Sequence, residues 1–179
     1  LPDFTPDELA RIVTDIEYNI TITTAEPDVL VNMDTASNWF NTAAKTTRIY
    51  YFDRYLAYLR SEGFPEAVLE RMEKDSRRIL SLSANPNATK DKKRGLVVGD
   101  VQSGKTANYF SLINLACDFG YKIVVLLAGM TDSLREQTQE RVDSGFIGAM
   151  SETIGGVNIA YVGVGLQKEE LYAVPLTNT

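Results

Sequence analysis

The stretch "GDVQSGKT", residues 99–106, limits what this chain can fold into more than any other, because it satisfies G-x-x-x-x-G-K-[ST] at every fixed position. That pattern works in one local setting, a short strand that turns directly into a helix. The apolar run "GLVVG" stands just before it, and "KTANYFSLINLACDFG" follows with apolar residues at helical spacing and Gly120 at its end. Glycines at 99 and 104 let the backbone wrap so that successive N–H groups converge on an anion, with the positive end of the following helix behind them. In such a loop Lys105 reaches the β- and γ-phosphates and is the catalytic residue, while the Thr106 hydroxyl ligates Mg²⁺. Gly99, Gln102, Ser103, Gly104, Lys105 and Thr106 are therefore the expected nucleotide-binding set, with ATP and Mg²⁺ as cofactors. Asp100 is the odd member, and at a variable position its side chain can point away from the phosphates.

Beyond the motif the hydrophobic pattern alternates. "YKIVVLLAG" is an apolar run of strand length, "DSLREQTQERV" a polar helix with Ser133 and Glu136 spaced as a capping box, and "VNIAYVGVG" a third strand. Runs apolar on both faces are what a parallel sheet covered by helices requires. The expected fold is α/β: a parallel-sheet P-loop NTPase core of helicase-like type, incomplete, over residues 89–179, preceded by an α-helical N-terminal region over 1–88.

The N-terminal region reads as helices throughout. "TPDELARIVTDIEYNI" begins with Thr5 three residues before Glu8 and Pro6 at the first helical position, then repeats Leu9, Ile12, Val13, Ile16 and Ile20 on one face. "TITTAEPDVLVNMD" reads as loop or short strand. From about 35 to 62 the aromatics Trp39, Phe40, Tyr50, Tyr51, Tyr55 and Tyr58 recur at three- and four-residue steps up to Gly63, which predicts one long helix with an aromatic core stripe. Pro65 opens a third helix to about Ser83. The polar "ANPNATKDKKR" then forms the boundary, ending in Lys90, Lys92, Lys93 and Arg94 as either a solvated charge run or a contact for nucleic-acid phosphate.

Composition narrows the partners. Eighteen basic residues against twenty-four acidic ones leave a net charge of −6, so any nucleic-acid contact has to be local. A single cysteine, Cys117, forms no internal disulfide and fits a reducing, cytoplasmic setting as a core residue. No apolar run approaches the roughly 18 to 20 residues needed to span a bilayer, so no membrane is expected. The chain lacks an initiator methionine and ends at "LYAVPLTNT", the layout expected of a piece of something longer.

Hydrolysis requires a second carboxylate, normally at the end of another strand, to hold Mg²⁺ and polarise water. After residue 106 no apolar run ends in paired acids: Asp132, Glu136, Glu140 and Asp143 fall in a predicted helix, and Glu152, Glu169 and Glu170 outside good strands. Turnover is thus expected of a longer protein. The helix "LREQTQERV" exposes Arg135, Gln137, Gln139 and Arg141, and with the strand and loop before it is similar to the strand, loop and leucine-then-glutamine helix of superfamily-two helicases, whose loop touches the nucleic-acid backbone.

The run from Arg94 to Gly148, with "VQSGKTANY" followed by "LAG" and "LREQTQER", resembles the endonuclease domain family called Z-one. That family occurs in bacterial and phage proteins linked to helicase-type ATPases and to defence or DNA-processing loci. The resemblance covers about a third of the chain and implies an ATP-dependent DNA-processing enzyme, with DNA as partner and the phosphate loop at Gly99 to Thr106. No P-D-x-n-(D/E)-x-K run occurs, and histidine is absent, so any cleavage is assigned elsewhere. Two alternatives stand beside it: a small-molecule kinase, and a nucleotide-gated interaction module whose helical N-terminal region recruits a protein partner.

Overall fold

The computed structural model describes residues 38–98, 105–127, 131–154, 156 and 158–167, together with Thr5. Five helices organise them: α1 (Trp39–Ala43), α2 (Tyr51–Ser61), α3 (Glu66–Leu82), α4 (Lys105–Asp118) and α5 (Asp132–Val142). A π-helical turn (Asp143–Ile147) and two 3-10 turns (Ser151–Thr153 and Gly163–Leu166) follow. The expected helix over residues 5–20 and the segment 21–34 fall outside the described residues, apart from Thr5.

Helix α2 buries Phe52, Tyr55, Leu56 and Leu59, the i, i+3, i+4, i+7 stripe of an amphipathic helix. Helix α3 starts after Pro65, which caps it in an extended conformation, and buries Leu69, Met72 and Leu80. Both meet α4, where Phe110, Ile113, Leu115 and Ala116 are buried. Tyr55 Oη donates to the Ala107 carbonyl near the start of α4, whereas Asp118 at its end accepts from the start of α2, so α2 and α4 run antiparallel. The Ser76–Ser111 and Tyr121–Ala84 contacts advance together along both chains, so α3 and α4 run in the same sense. Phe119 stacks on Phe40 with ring centroids 4.6 Å apart and meets Trp39 edge-on at 6.1 Å, closing one end of the core. Aromatic pairs of this kind add about 0.5–1.5 kcal/mol each beyond their burial. The core residues come from both sides of position 88 and form one cluster.

The expected parallel-sheet α/β P-loop core is not what the described residues form: they are 58% helix and 2% strand, with no sheet among them. Residues 95–98 and 121–127, read as strands, are non-helical and pair with no strand among the described residues. Their apolar side chains face out, Leu96 at 87% and Leu127 at 95% exposure. The third expected strand contributes one antiparallel bridge, Ala149 to Tyr161, and then turns into the second 3-10 turn. An apolar run supplies strand propensity but not a partner for its N–H and C=O groups, and a ladder exists only where a second strand meets it.

Two smaller corrections have equally local causes. The long aromatic helix predicted over about 35–62 is two helices, broken between Ala44 and Tyr50, where the run from Lys45 to Ile49 includes β-branched Thr46, Thr47 and Ile49. The break also frees the Tyr50, Tyr51 and Phe52 amides for a remote partner. Helix α5 is capped not by Ser133 but by Thr131, whose side-chain oxygen accepts from Leu134 N at 3.4 Å while its own backbone is extended. Ser133 sits one position inside the helix start.

The segment after α5 depends on backbone contact. Gly148 ends the π-helical turn at φ 94°, and a Cβ on Gly165 would overlap the Gly148 carbonyl. Gly63 also has positive φ, 87°, but with open space around it. Gly165→Ala is therefore expected to cost about 3 kcal/mol, the upper end for overpacking. Gly63→Ala is expected to cost only about 1–2 kcal/mol, the left-handed backbone penalty alone. Urea unfolding followed by circular dichroism checks the order; equal losses would mean that the 148–165 approach is not tight.

Candidate functional site

The site expected from sequence centres on the start of α4. Gly99, Asp100, Gln102, Ser103 and Gly104 lie outside the described residues. Lys105 is the first residue of α4 and Thr106, half-buried, the second. The first turn of α4 carries no acidic side chain, so nothing on the helix itself neutralises the partial positive charge of its free N–H groups. That end suits an anion.

What makes α4 a firm platform is a row of polar side chains on its packed face. Ser111, Asn114 and Asp118 are spaced three and four apart, so they lie one above another on one side of the helix. Ser111 Oγ meets Ser76 Oγ of α3 at 2.8 Å, both fully buried. Asn114 Nδ2 donates to the Phe110 carbonyl at 2.8 Å and across to the Gly145 carbonyl of the π-helical turn at 3.0 Å. Its Oδ1 is buried and meets no donor among the described residues. Asp118 Oδ1 accepts from Tyr50 N and Tyr51 N, and Oδ2 from Phe52 N, each at 3.0 Å.

Asp118 thus does for α2 what an N-cap side chain usually does, from 66–68 residues away in sequence. Burial pushes its carboxyl above the ordinary value, the three amides pull it back, and the charge of Asp53 pushes it further up. The adjacent Cys117 thiol is pushed up to about 11, first by burial and then by Asp118. A thiol so far above neutral pH is protonated there, and the residue expected in the core is half-buried. Tyr55, over the first turns of α4, is raised chiefly by burial and stays a neutral hydroxyl.

Sequence reasoning passed over this row. One signal was available: Asp118 sits in the last turn of a helix, where the macrodipole disfavours an acid, so a specific partner elsewhere was called for. Asp143, just beyond α5, repeats the case. It is buried, accepts from Ser151 N at 2.7 Å, from Gln139 Nε2 at 2.8 Å and from the Ser151 hydroxyl, so the cost of its burial is offset by three hydrogen bonds. Gln139, expected on the exposed face of α5, is instead tied inward to Asp143 and Ser151. Arg135, Gln137 and Arg141 are exposed as expected, Arg135 beside Asp132 at 3.1 Å. No residue of α5 is buried, so that helix is held through its C-terminal end.

Among the described residues no helix is long and apolar enough to cross a membrane. Comparison of the chain with protein-family models, curated proteins and solved structures finds no match.

The clamp generates a direct expectation. Asp118→Ala leaves three amides at the start of α2 without their acceptor and is expected to lower stability by about 2 kcal/mol, within the range for a missing cap and unsatisfied buried donors. Asp118→Asn keeps one acceptor oxygen and is expected to cost about half as much. Chemical denaturation gives the totals, and amide exchange at Tyr51 and Phe52 locates them; unchanged exchange in Asp118→Ala would show that the clamp does not hold α2.

Proposed function

We propose that this chain binds ATP with Mg²⁺ through residues 99–106 and serves a DNA-processing ATPase, the activity implied by its resemblance to the Z-one family. The observation that carries the reading is the match of "GDVQSGKT" to the phosphate-loop pattern at every fixed position, with its lysine as the first residue of a 14-residue helix whose opening turn is free of acids. In this reading the backbone of 99–104 wraps the phosphates, Lys105 neutralises the β- and γ-phosphate charge and acts in catalysis, and Thr106 ligates Mg²⁺. Gln102 and Ser103 add donors within the loop.

The phosphate-binding helix is also the helix whose polar row reaches α2, α3 and the π-helical turn. A ligand at the start of α4 is therefore linked through one firmly held helix to three elements, which supports a role in which nucleotide changes the grip on a partner rather than one of passive storage. DNA is that partner in the leading reading; a protein docked on the helical region is the alternative.

Binding is tested with a fluorescent ATP analogue and Mg²⁺. Lys105→Ala is expected to weaken affinity roughly 10- to 150-fold, the equivalent of one charge-assisted hydrogen bond to phosphate. Hydrolysis is then followed with and without DNA. DNA-stimulated turnover abolished by Lys105→Ala supports the DNA-processing ATPase; ATP binding without turnover in any DNA supports nucleotide-gated interaction instead; and no ATP binding by the wild type sinks the proposal.

A further inference from the structure

At the end of the helical bundle opposite the start of α4, the fold brings together segments that carry basic residues and are far apart in sequence. The turn after α3 is built by local bonds: Asn85 Oδ1 accepts from Asn87 N at 3.0 Å, Ala88 N donates to the Asn85 carbonyl at 3.1 Å, and Asp91 Oδ2 accepts from Asn85 N at 2.8 Å. Tyr121 then donates its hydroxyl to the Ala84 carbonyl, and Gly120 lies against the Pro86 ring. These bonds bring the segment after α4 onto the turn after α3. The nearness of Asp91 to Tyr121 also shows in the Tyr121 hydroxyl, which burial raises first and the Asp91 charge second.

Beside this turn lies an open cleft of about 420 Å³, lined by Asn38, Trp39, Thr42, Ala43, Thr46, Asn85 and Asn87. Its walls are amides and hydroxyls around one aromatic edge, with no charged side chain. Basic residues flank the lining and the residues that hold it. Lys45 sits between lining residues 43 and 46; Lys90 and Lys92 flank Asp91, which holds Asn85; and Lys122 follows Tyr121, which holds Ala84. All four lysines are exposed. Arg94, also exposed, continues the series, and Asp91 is the sole acid between residues 83 and 98. In a chain of net charge −6 this is a local reversal of sign. It lies where the C-terminal ends of α3 and α4 favour cations.

We infer that this cleft and its lysine rim form a nucleic-acid contact, in which the phosphates of a single strand meet Lys45, Lys90, Lys92 and Lys122 while the sugar and base of one nucleotide sit among the asparagines and threonines. The partner's identity rests on the DNA-processing reading above; the surface itself does not depend on nucleotide at residues 99–106. The chemistry favours this ligand. Exposed lysines supply most of the affinity for a phosphate backbone, and uncharged amides and hydroxyls are typical sugar-phosphate contacts that position without reading sequence. A cleft of this volume lies within the range for a small ligand and takes one nucleotide unit, not a duplex.

The test is fluorescence anisotropy of a labelled 20-nucleotide single strand, without ATP, over a range of salt concentrations. Two double variants, Lys90→Glu with Lys92→Glu and Lys45→Glu with Lys122→Glu, are each expected to weaken binding at least tenfold. Each is also expected to flatten the slope of log affinity against log salt by about 0.7 for every phosphate that is no longer neutralised. Lys74→Glu with Arg78→Glu, an equal charge change on the exposed side of α3, is expected to change affinity less than threefold. The inference is overturned if the control weakens binding as much as the rim variants, if the wild type does not bind the strand at low salt, or if polyglutamate competes as well as an unlabelled strand. Lys105→Ala is expected to bind the strand normally. Strand binding without ATP binding would thus defeat the nucleotide reading alone, and ATP binding without strand binding this inference alone.

Discussion

The start of α2 is held by the carboxylate of Asp118, and much of the packing follows from that bond. Three consecutive amides at the head of a helix need acceptors, and the local sequence offers none, since Tyr50 makes no side-chain cap. The acceptor comes from the last turn of α4, 66–68 residues on. Once it is in place, α2 and α4 lie antiparallel in a fixed register, Tyr55 reaches Ala107, and Phe119 is carried onto Trp39 and Phe40. The same bond relieves an acid at the wrong end of a helix and caps another helix that lacks its own cap.

The row to which Asp118 belongs explains why α4 serves as a platform. Apolar contacts tolerate small slides, because burial is non-directional. Hydrogen bonds at Ser111, Asn114 and Asp118 do not, since each requires a donor and acceptor at about 3 Å in the right direction. Three of them on one face, each to a different element, give α4 a single axial position. The two proposed contacts then lie at its two ends, with phosphate at Lys105 and the nucleic-acid strand beyond Gly120. A 14-residue helix separates them by roughly 20 Å.

The extended segments show where hydrophobic pattern stops being informative. "GLVVG" and "YKIVVLLAG" have the composition of buried strands, yet residues 95–98 and 121–127 pair with no strand among the described residues, and their apolar side chains face outward. Composition states how a backbone prefers to lie, while a strand is a relation between two backbones. Helices do not have this dependence, because each closes its own hydrogen bonds. That difference is why α3, α4 and α5 agree with their expected spans to within a few residues whereas the expected parallel sheet does not hold.

The sequence by itself determined the local and periodic features. These are the amphipathic faces of α2 and α3, the proline start of α3, the glycine stops at Gly63 and Gly120, the polar character of α5, and the phosphate-loop pattern with Lys105 and Thr106 at a helix start. Each depends on neighbours within a turn or two. Only the tertiary structure decided that Asp118 caps α2, that Asn114 and Asp143 are buried in bonds, that Gln139 turns inward, and that the segments carrying Lys45, Lys90, Lys92 and Lys122 meet near the turn after α3. Those outcomes depend on which segments meet, and a polar side chain carries no mark in the sequence of the distant backbone group that will satisfy it.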